Sequence, residues 1–128
     1  MLGDLIHNAH VIEELEALGV RKIASPEDAP EGASVVLRSH GERREIVEAL
    51  EARGLCCVSA ACPNVRRIQT LAARAEQEGR QVMILGDRNH PEIQGIASYC
   101  AHPLIFGEPK EIRAWLEEEP ARRELPIT

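Results

Sequence analysis

A chain of 128 residues with 44% hydrophobic and 28% charged side chains is long enough for one ordinary globular domain or two very small ones, which excludes disorder, collagen-like repeats and coiled coil. Lys and Arg number 15 against 21 Asp and Glu, a formal net charge of −6, so no global positive field exists to hold a nucleic-acid backbone. With one Trp, one Tyr and one Phe there is no base-stacking platform, and the core must be built from Val, Ile, Leu and Ala, which suits a helix-covered parallel sheet.

No apolar stretch approaches the roughly 20 residues a membrane span needs. Met1-Leu2-Gly3-Asp4 also lacks the charged-then-apolar layout of a signal peptide, so a cytoplasmic protein is expected. Cys56, Cys57, Cys62 and Cys100 contain no Cys-x-x-Cys pair and no finger-like spacing. Neither a disulfide scaffold nor a structural zinc site is indicated, and one functional cysteine with three bystanders is the natural reading.

In chain order, Val11, Ile12, Leu15 and Leu18 recur at helical spacing after His7-Asn8 and stop at Gly19, predicting an amphipathic helix over about 9–18. A Pro/Gly/acidic connector from Ser25 to Gly32 leads into Ser34 to Arg38, a short β-branched run read as a strand ending at Ser39-His40-Gly41. Glu42 to Arg53 carries Ile46, Val47 and Leu50 on one face and ends at Gly54, a second helix. Leu55 to Val58 is read as a further buried strand. Pro63 opens a third helix with Val65, Ile68, Leu71, Ala72 and Ala75 on one face up to Gly79, so Cys62 stands at its entrance. Gln81 to Gly86 is the strongest strand, Asp87 to His90 a loop, and Pro91 opens a helix to about Ala97. Leu104 to Phe106 is a last strand, Pro109 to Glu118 a closing helix, and 120–128 a loose polar tail. This alternation predicts an α/β fold, a mostly parallel sheet with flanking helices in two incomplete halves, 1–62 and 63–119.

In an open parallel sheet, ligands bind beyond the carboxyl ends of the strands, where helix N-termini present free N–H groups and partial positive charge. Ser39-His40-Gly41, Ala61-Cys62-Pro63 and Asn89-His90-Pro91-Glu92 all occupy strand-to-helix turns, and His7-Asn8 precedes the first helix. Imidazole N–H groups and helix N-termini together suit a multiply charged anion such as a diphosphate. A thiol at a helix entrance suits metal or iron-sulfur ligation, or nucleophilic attack. Glu92, two residues after His90, is placed to donate a proton. Singly, each turn is more simply punctuation; their convergence on one edge is the argument. Cys56 and Cys57 read as small core residues, His10 and His102 as surface or capping residues, and Cys100 as core or a second thiol near the site.

These residues resemble a known family. His7-Asn8 before a Val-Ile-Glu-Glu-Leu helix, Ser39-His40-Gly41, Ala60-Ala61-Cys62-Pro63-Asn64-Val65 and Gly86-Asp87-Arg88-Asn89-His90-Pro91-Glu92-Ile93-Gln94-Gly95 look like the 4-hydroxy-3-methylbut-2-enyl diphosphate reductase family, over roughly residues 3–107. The resemblance implies the last step of the non-mevalonate isoprenoid pathway, in which an allylic hydroxyl is removed with two electrons and two protons to give isopentenyl and dimethylallyl diphosphates. It implies a 4Fe-4S cluster held by three cysteines and a ferredoxin or flavodoxin as electron donor. Carried over by motif, Cys62 matches a cluster ligand, His7, His40 and His90 match the histidines around the allylic diphosphate, and Glu92 matches the proton-delivering acid.

The departures are equally specific. The family chain is about twice as long and built as three similar α/β domains, and this sequence resembles little more than the middle third. The family's N-terminal Cys-containing glycine motif, its later threonine, third cluster cysteine and Ser-x-Asn motif have no counterpart here, and Cys100 aligns with neither missing ligand. The family's Asp-Ala-Thr-Cys-Pro appears as Ser59-Ala60-Ala61-Cys62-Pro63. A truncated member unable to assemble the cluster alone is therefore expected, with self-association through uncovered edges as one outcome. A degenerate diphosphate-binding module without redox chemistry is the alternative.

Overall fold

The computed structural model describes residues 1–118 and 124–128, which form two compact units, Met1–Arg66 and Arg67–Thr128. No helix among the described residues is long and apolar enough to cross a membrane.

In the first unit, α1 (Ala9–Ala17), a 3-10 turn (Pro26–Asp28), β1 (Ser34–Leu37), α2 (Arg44–Ala52) and β2 (Cys56–Ser59) follow in order. β1 and β2 pair in parallel, Ser34 opposite Cys56 through Leu37 opposite Ser59. On the other side of β1, Leu2 donates its N–H to Val36 O at 3.1 Å and Ser39 donates to Leu5 O at 2.9 Å, while Leu2 bridges Ile23 in parallel. The order across the sheet is thus Ile23, Leu2, β1, β2. The segments around Leu2 and Ile23 escape sequence reading because Gly3 and Asp4 follow the one and Arg21 and Lys22 precede the other, leaving no apolar run, and only the pairing itself marks them.

Asn8 caps α1 by accepting the Val11 N–H at Oδ1. Three helices end alike. Gly19, Gly54 and Gly79 take positive φ and donate to Glu16, Glu51 and Glu76, while the next residues, Val20, Leu55 and Arg80, donate to Leu15, Leu50 and Ala75. Each such Schellman turn satisfies orphan carbonyls and aims the chain into the following strand. The unit's core is Leu2, Ala29, Val35, Leu37, Leu50 and Leu55, with Ile23, Ile46, Val47 and Cys57 packed against it.

β2 corrects one expectation. Instead of a buried strand it is largely exposed, with Cys56 open to solvent and Val58 48% exposed. The reason is position: β2 is the outermost strand of this sheet, so its pleat is covered only in part.

α3 (Pro63–Gln77) begins in the first unit and continues in the second, where β3 (Met83–Leu85), α4 (Pro91–Ala97), β4 (Leu104–Phe106) and α5 (Pro109–Glu118) follow. β3 and β4 are parallel, Met83 opposite Leu104. The tail expected to be loose spans 120–128; residues 119–123 lie outside those described. At its end Gln81 and Met83 donate to Pro126 and Thr128 at 2.9 Å, and Thr128 donates back to Gln81 at 3.0 Å, so these last residues are bridged in parallel to the chain entering β3. The core here is Ala72, Ala75, Val82, Ile84, Ile96 and Cys100, and Trp115 of α5 meets Phe106 edge-on at 6.2 Å.

Candidate functional site

The parallel strands β1 and β2 end side by side, with the stretch 2–5 hydrogen-bonded alongside β1, and the loop that follows each of the three carries a candidate site residue: His7, His40 and Cys62. Backbone hydrogen bonds tie the three loops together. Ser39 donates to Leu5 O at 2.9 Å, and Cys62 donates to Ser39 O at 3.4 Å. The imidazoles of His7 and His40 meet with centroids 4.7 Å apart and planes tilted by 43°. The structure therefore brings these two rings together, with the backbone of Cys62 bonded to the residue beside His40.

The turn carrying His40 is closed by the Gly41 N–H donating to Arg38 O at 3.0 Å, with Gly41 at φ 80°, a conformation glycine adopts without steric cost. Directly after it lies Glu42, read from sequence as the first residue of a helix. It is instead a buried residue ahead of α2, 3% exposed, whose carboxylate accepts from Arg38 Nε at 2.9 Å, Arg38 Nη2 at 2.6 Å and the Arg43 N–H at 3.1 Å. Sequence reasoning missed this pair. An Arg and a Glu four residues apart on either side of a His-Gly turn was the available signal.

A cavity of about 410 Å³ opens beside His7, lined by Asp4, Ile6, Asn8, Ile12, Glu13 and Lys22 among others. Its single cation, Lys22, is paired to Asp4 at 2.5 Å, and Glu13 and Glu16 add negative charge, so this flank of His7 repels an anion. A second cavity, lined by Met1, Val20, Ile23, Ala29, Pro30 and Val35 among others, lies at the amino ends of the same strands and contains no imidazole or thiol.

His90 and Glu92 belong to the second unit, at the turn between β3 and α4. His90 is the N-cap of α4, its Nδ1 accepting the Glu92 N–H at 3.2 Å. With Nδ1 acting as acceptor, the proton of the neutral ring sits on Nε2, the nitrogen able to donate to an anion. Glu92 is half-buried in the first turn of α4. The loop before it is shaped by Asp87 Oδ1, which accepts the Asn89 N–H at 2.9 Å, and by Gly86, where a Cβ would lie 2.7 Å from Ile93 Cδ1.

The thiols are dispersed. Cys62 is exposed at the entrance to α3, and Cys56 is exposed on β2. Burial pushes the Cys57 thiol up, with Glu51 adding to it, and burial followed by the charge of Glu76 pushes Cys100 up. Among the described residues no group of three or more His, Cys, Asp or Glu side chains is placed to hold a metal ion. A cluster needing three thiolates therefore does not fit the residues of this chain, which sets one cysteine on the rim beside the paired imidazoles.

Two consequences are measurable. At pH 8, iodoacetamide should modify Cys56 and Cys62 in the native protein and reach Cys57 and Cys100 only on unfolding; peptide mapping showing Cys100 labelled as fast as Cys62 would contradict the burial. Because the native state holds the Cys57 and Cys100 protons more tightly than the unfolded chain, stability should be intact below the ordinary thiol pKa of about 8.5 and fall as pH rises beyond it. Cys100→Ala should flatten that alkaline fall in a melting series, whatever it does to stability at neutral pH.

The family model for LytB protein matches residues 1–125. Among curated relatives, 4-hydroxy-3-methylbut-2-enyl diphosphate reductase of Oleidesulfovibrio alaskensis is 40% identical over 113 residues, 88% of this chain and 40% of that protein. The reductase of the same name from Anaeromyxobacter sp. is 39% identical over 108 residues, 84% of this chain and 39% of that one. A solved structure of (E)-4-hydroxy-3-methyl-but-2-enyl diphosphate reductase, the terminal enzyme of the non-mevalonate pathway, matches with TM-score 0.77 at 32% identity over 91% of this chain and 42% of that chain. The Plasmodium falciparum reductase matches with TM-score 0.80 at 24% identity over 88% of this chain and 36% of that one, a likeness of fold. The chain spans about two-fifths of the length of the curated relatives it matches. With an α/β fold of short parallel sheets and a family match along almost its whole length, the chain belongs to the LytB family.

Proposed function

We propose that this chain carries the diphosphate-recognising part of a 4-hydroxy-3-methylbut-2-enyl diphosphate reductase, the enzyme that its relatives are named for, acting as an iron-sulfur oxidoreductase. The observation that supports it most is the pairing of His7 and His40 at 4.7 Å on the carboxyl rim of parallel strands, the place where α/β sheets receive anionic ligands. Two adjacent imidazoles present N–H donors to neighbouring oxygens of one diphosphate, and each bond to a charged oxygen is stronger than its neutral counterpart. In this reading Cys62 is one thiolate ligand of a 4Fe-4S cluster whose other ligands come from outside this chain, and in the second unit His90 and Glu92 keep the roles that the family resemblance implies for them, diphosphate binding and proton delivery. The overall change removes the hydroxyl as water at a cost of two electrons and two protons. A cytoplasmic ferredoxin or flavodoxin is the matching electron donor.

A second reading has one observation in its favour: a single thiol stands on the rim. In it the chain is a diphosphate-binding module without redox chemistry. Titration with inorganic pyrophosphate, followed by anaerobic reconstitution with iron and sulfide, separates the two. Saturable pyrophosphate binding weakened at least about tenfold by His40→Ala, the loss of one charge-assisted donor, is expected under both. A brown product with 4Fe-4S absorbance that Cys62→Ser abolishes supports the reductase reading, with the remaining thiolates supplied from outside this chain, whereas a colourless protein that still binds pyrophosphate supports the module. Absence of both pyrophosphate binding and colour would overturn the proposal.

A further inference from the structure

We infer that Glu42 is a positioning residue for the imidazole pair: its buried ion pair with Arg38 braces the turn that holds His40 against His7. This rests on the reading of His7 and His40 as diphosphate donors and extends it to a residue that touches neither ring.

The geometry is a closed loop. Arg38 and Glu42 are the two ends of a five-residue segment with His40 at its centre, and their side chains are joined by two parallel N–H···O bonds at 2.9 and 2.6 Å. The same segment is joined across its backbone by Gly41 N–H to Arg38 O. One of the two carboxylate oxygens, Oε1, also takes the Arg43 N–H, so the first residue beyond the turn is fixed by the same group. The Glu42 side chain is 1% exposed, out of reach of competing water, whereas the Arg38 side chain is 35% exposed. A fork-to-fork pair with one partner so buried constrains orientation as well as distance.

That turn is also the hub of the rim. Through Ser39 it receives and gives the bonds that hold the Leu5 and Cys62 loops. If the brace is cut, the turn loses its side-chain closure and keeps the Gly41 bond, and part of the entropy of ordering His40 has to be supplied when the anion arrives. Diphosphate affinity should then fall although no group touching the ligand has changed.

The test is a double-mutant cycle on the full 128-residue chain, with inorganic pyrophosphate as the probe. Glu42→Ala should weaken binding about tenfold, as His40→Ala does, and combining the two should add less than about twofold to the loss from His40→Ala alone, the signature of residues acting through one another. Glu42→Gln, which keeps an oxygen acceptor and the same shape, should lose only about threefold, and it replaces the alanine variant should that fail to fold. In the unliganded protein the brace is read separately: Glu42→Gln should shift the His7 and His40 ring resonances and speed amide exchange at Ser39 and Cys62. Wild-type ring resonances and exchange in Glu42→Gln, or additive losses in the cycle, would overturn the inference. If His40→Ala leaves pyrophosphate binding intact, the diphosphate reading fails, and the resonances and exchange rates alone then decide the brace.

Discussion

Leu50→Ala is expected to lower the unfolding free energy by about 3 kcal/mol, the middle of the range for truncating a buried leucine. Leu50 is the one large side chain with 0% exposure among the described residues, packed in the core of the first unit with Val35, Leu37 and Leu55. Its carbonyl also accepts the Leu55 N–H that starts β2, so a shift of this turn of helix moves the strand as well. Against a total stability of roughly 5–15 kcal/mol for a domain, the loss is a large fraction, and folding at 37 °C becomes marginal. Urea denaturation followed by far-UV circular dichroism measures it, while the fluorescence of Trp115, the only Trp in the chain, reports the second unit separately. A loss under about 1 kcal/mol would mean that the core around Leu50 collapses into the space left, against what close packing predicts.

Arg38→Met should cost a similar amount, about 3 kcal/mol, by a different route. Removing the guanidinium strands a carboxylate that is 1% exposed and leaves it only the Arg43 N–H. Glu42→Ala strands a guanidinium already one-third in water, so it should cost clearly less, which makes it the better variant for probing binding. The pair Arg38→Met with Glu42→Leu should recover most of the stability, because apolar replacement of both partners removes the desolvation penalty together with the attraction. Chemical denaturation of the three variants checks the order: Arg38→Met lowest, Glu42→Ala between, the double variant near wild type. A double variant as unstable as Arg38→Met would show that the pair contributes net stability as well as orientation.

How much of this is legible in the sequence differs from element to element. The five helices are encoded locally, by apolar spacing, Asn8, the prolines at positions 63, 91 and 109, and the glycines that end three of them, and β1, β3 and β4 are aliphatic runs too short to be helices. The isolated bridges at Leu2, Ile23 and Ile127 are made by their partners, and no local propensity announces them. The exposure of β2 escapes the sequence for a related reason: Cys-Cys-Val looks interior, yet an outer strand is covered only as far as its neighbours reach. His40 and Cys62 can be placed on one rim from strand-to-helix alternation alone, since parallel strands send every following loop to the same edge, whereas His7 joins them through a pairing of the Leu2 segment that the sequence does not announce. Glu42 is harder to find, because it reads as the start of a helix rich in Glu and Arg, and only its spacing from Arg38 across the His-Gly turn marks the carboxylate that is taken out of water.

Both ends of the described chain are tied into neighbouring backbone by isolated β-bridges. Met1 is 5% exposed with its ammonium donating to Arg21 O, its pKa lowered by burial, and Thr128 is bonded to Gln81 and Met83. A purification handle or reporter fused directly to either end would therefore abut a β-ladder, and a flexible spacer of several residues belongs between the two. Without it, a handle at Met1 would disturb the very segment that carries Leu5 and His7 to the rim.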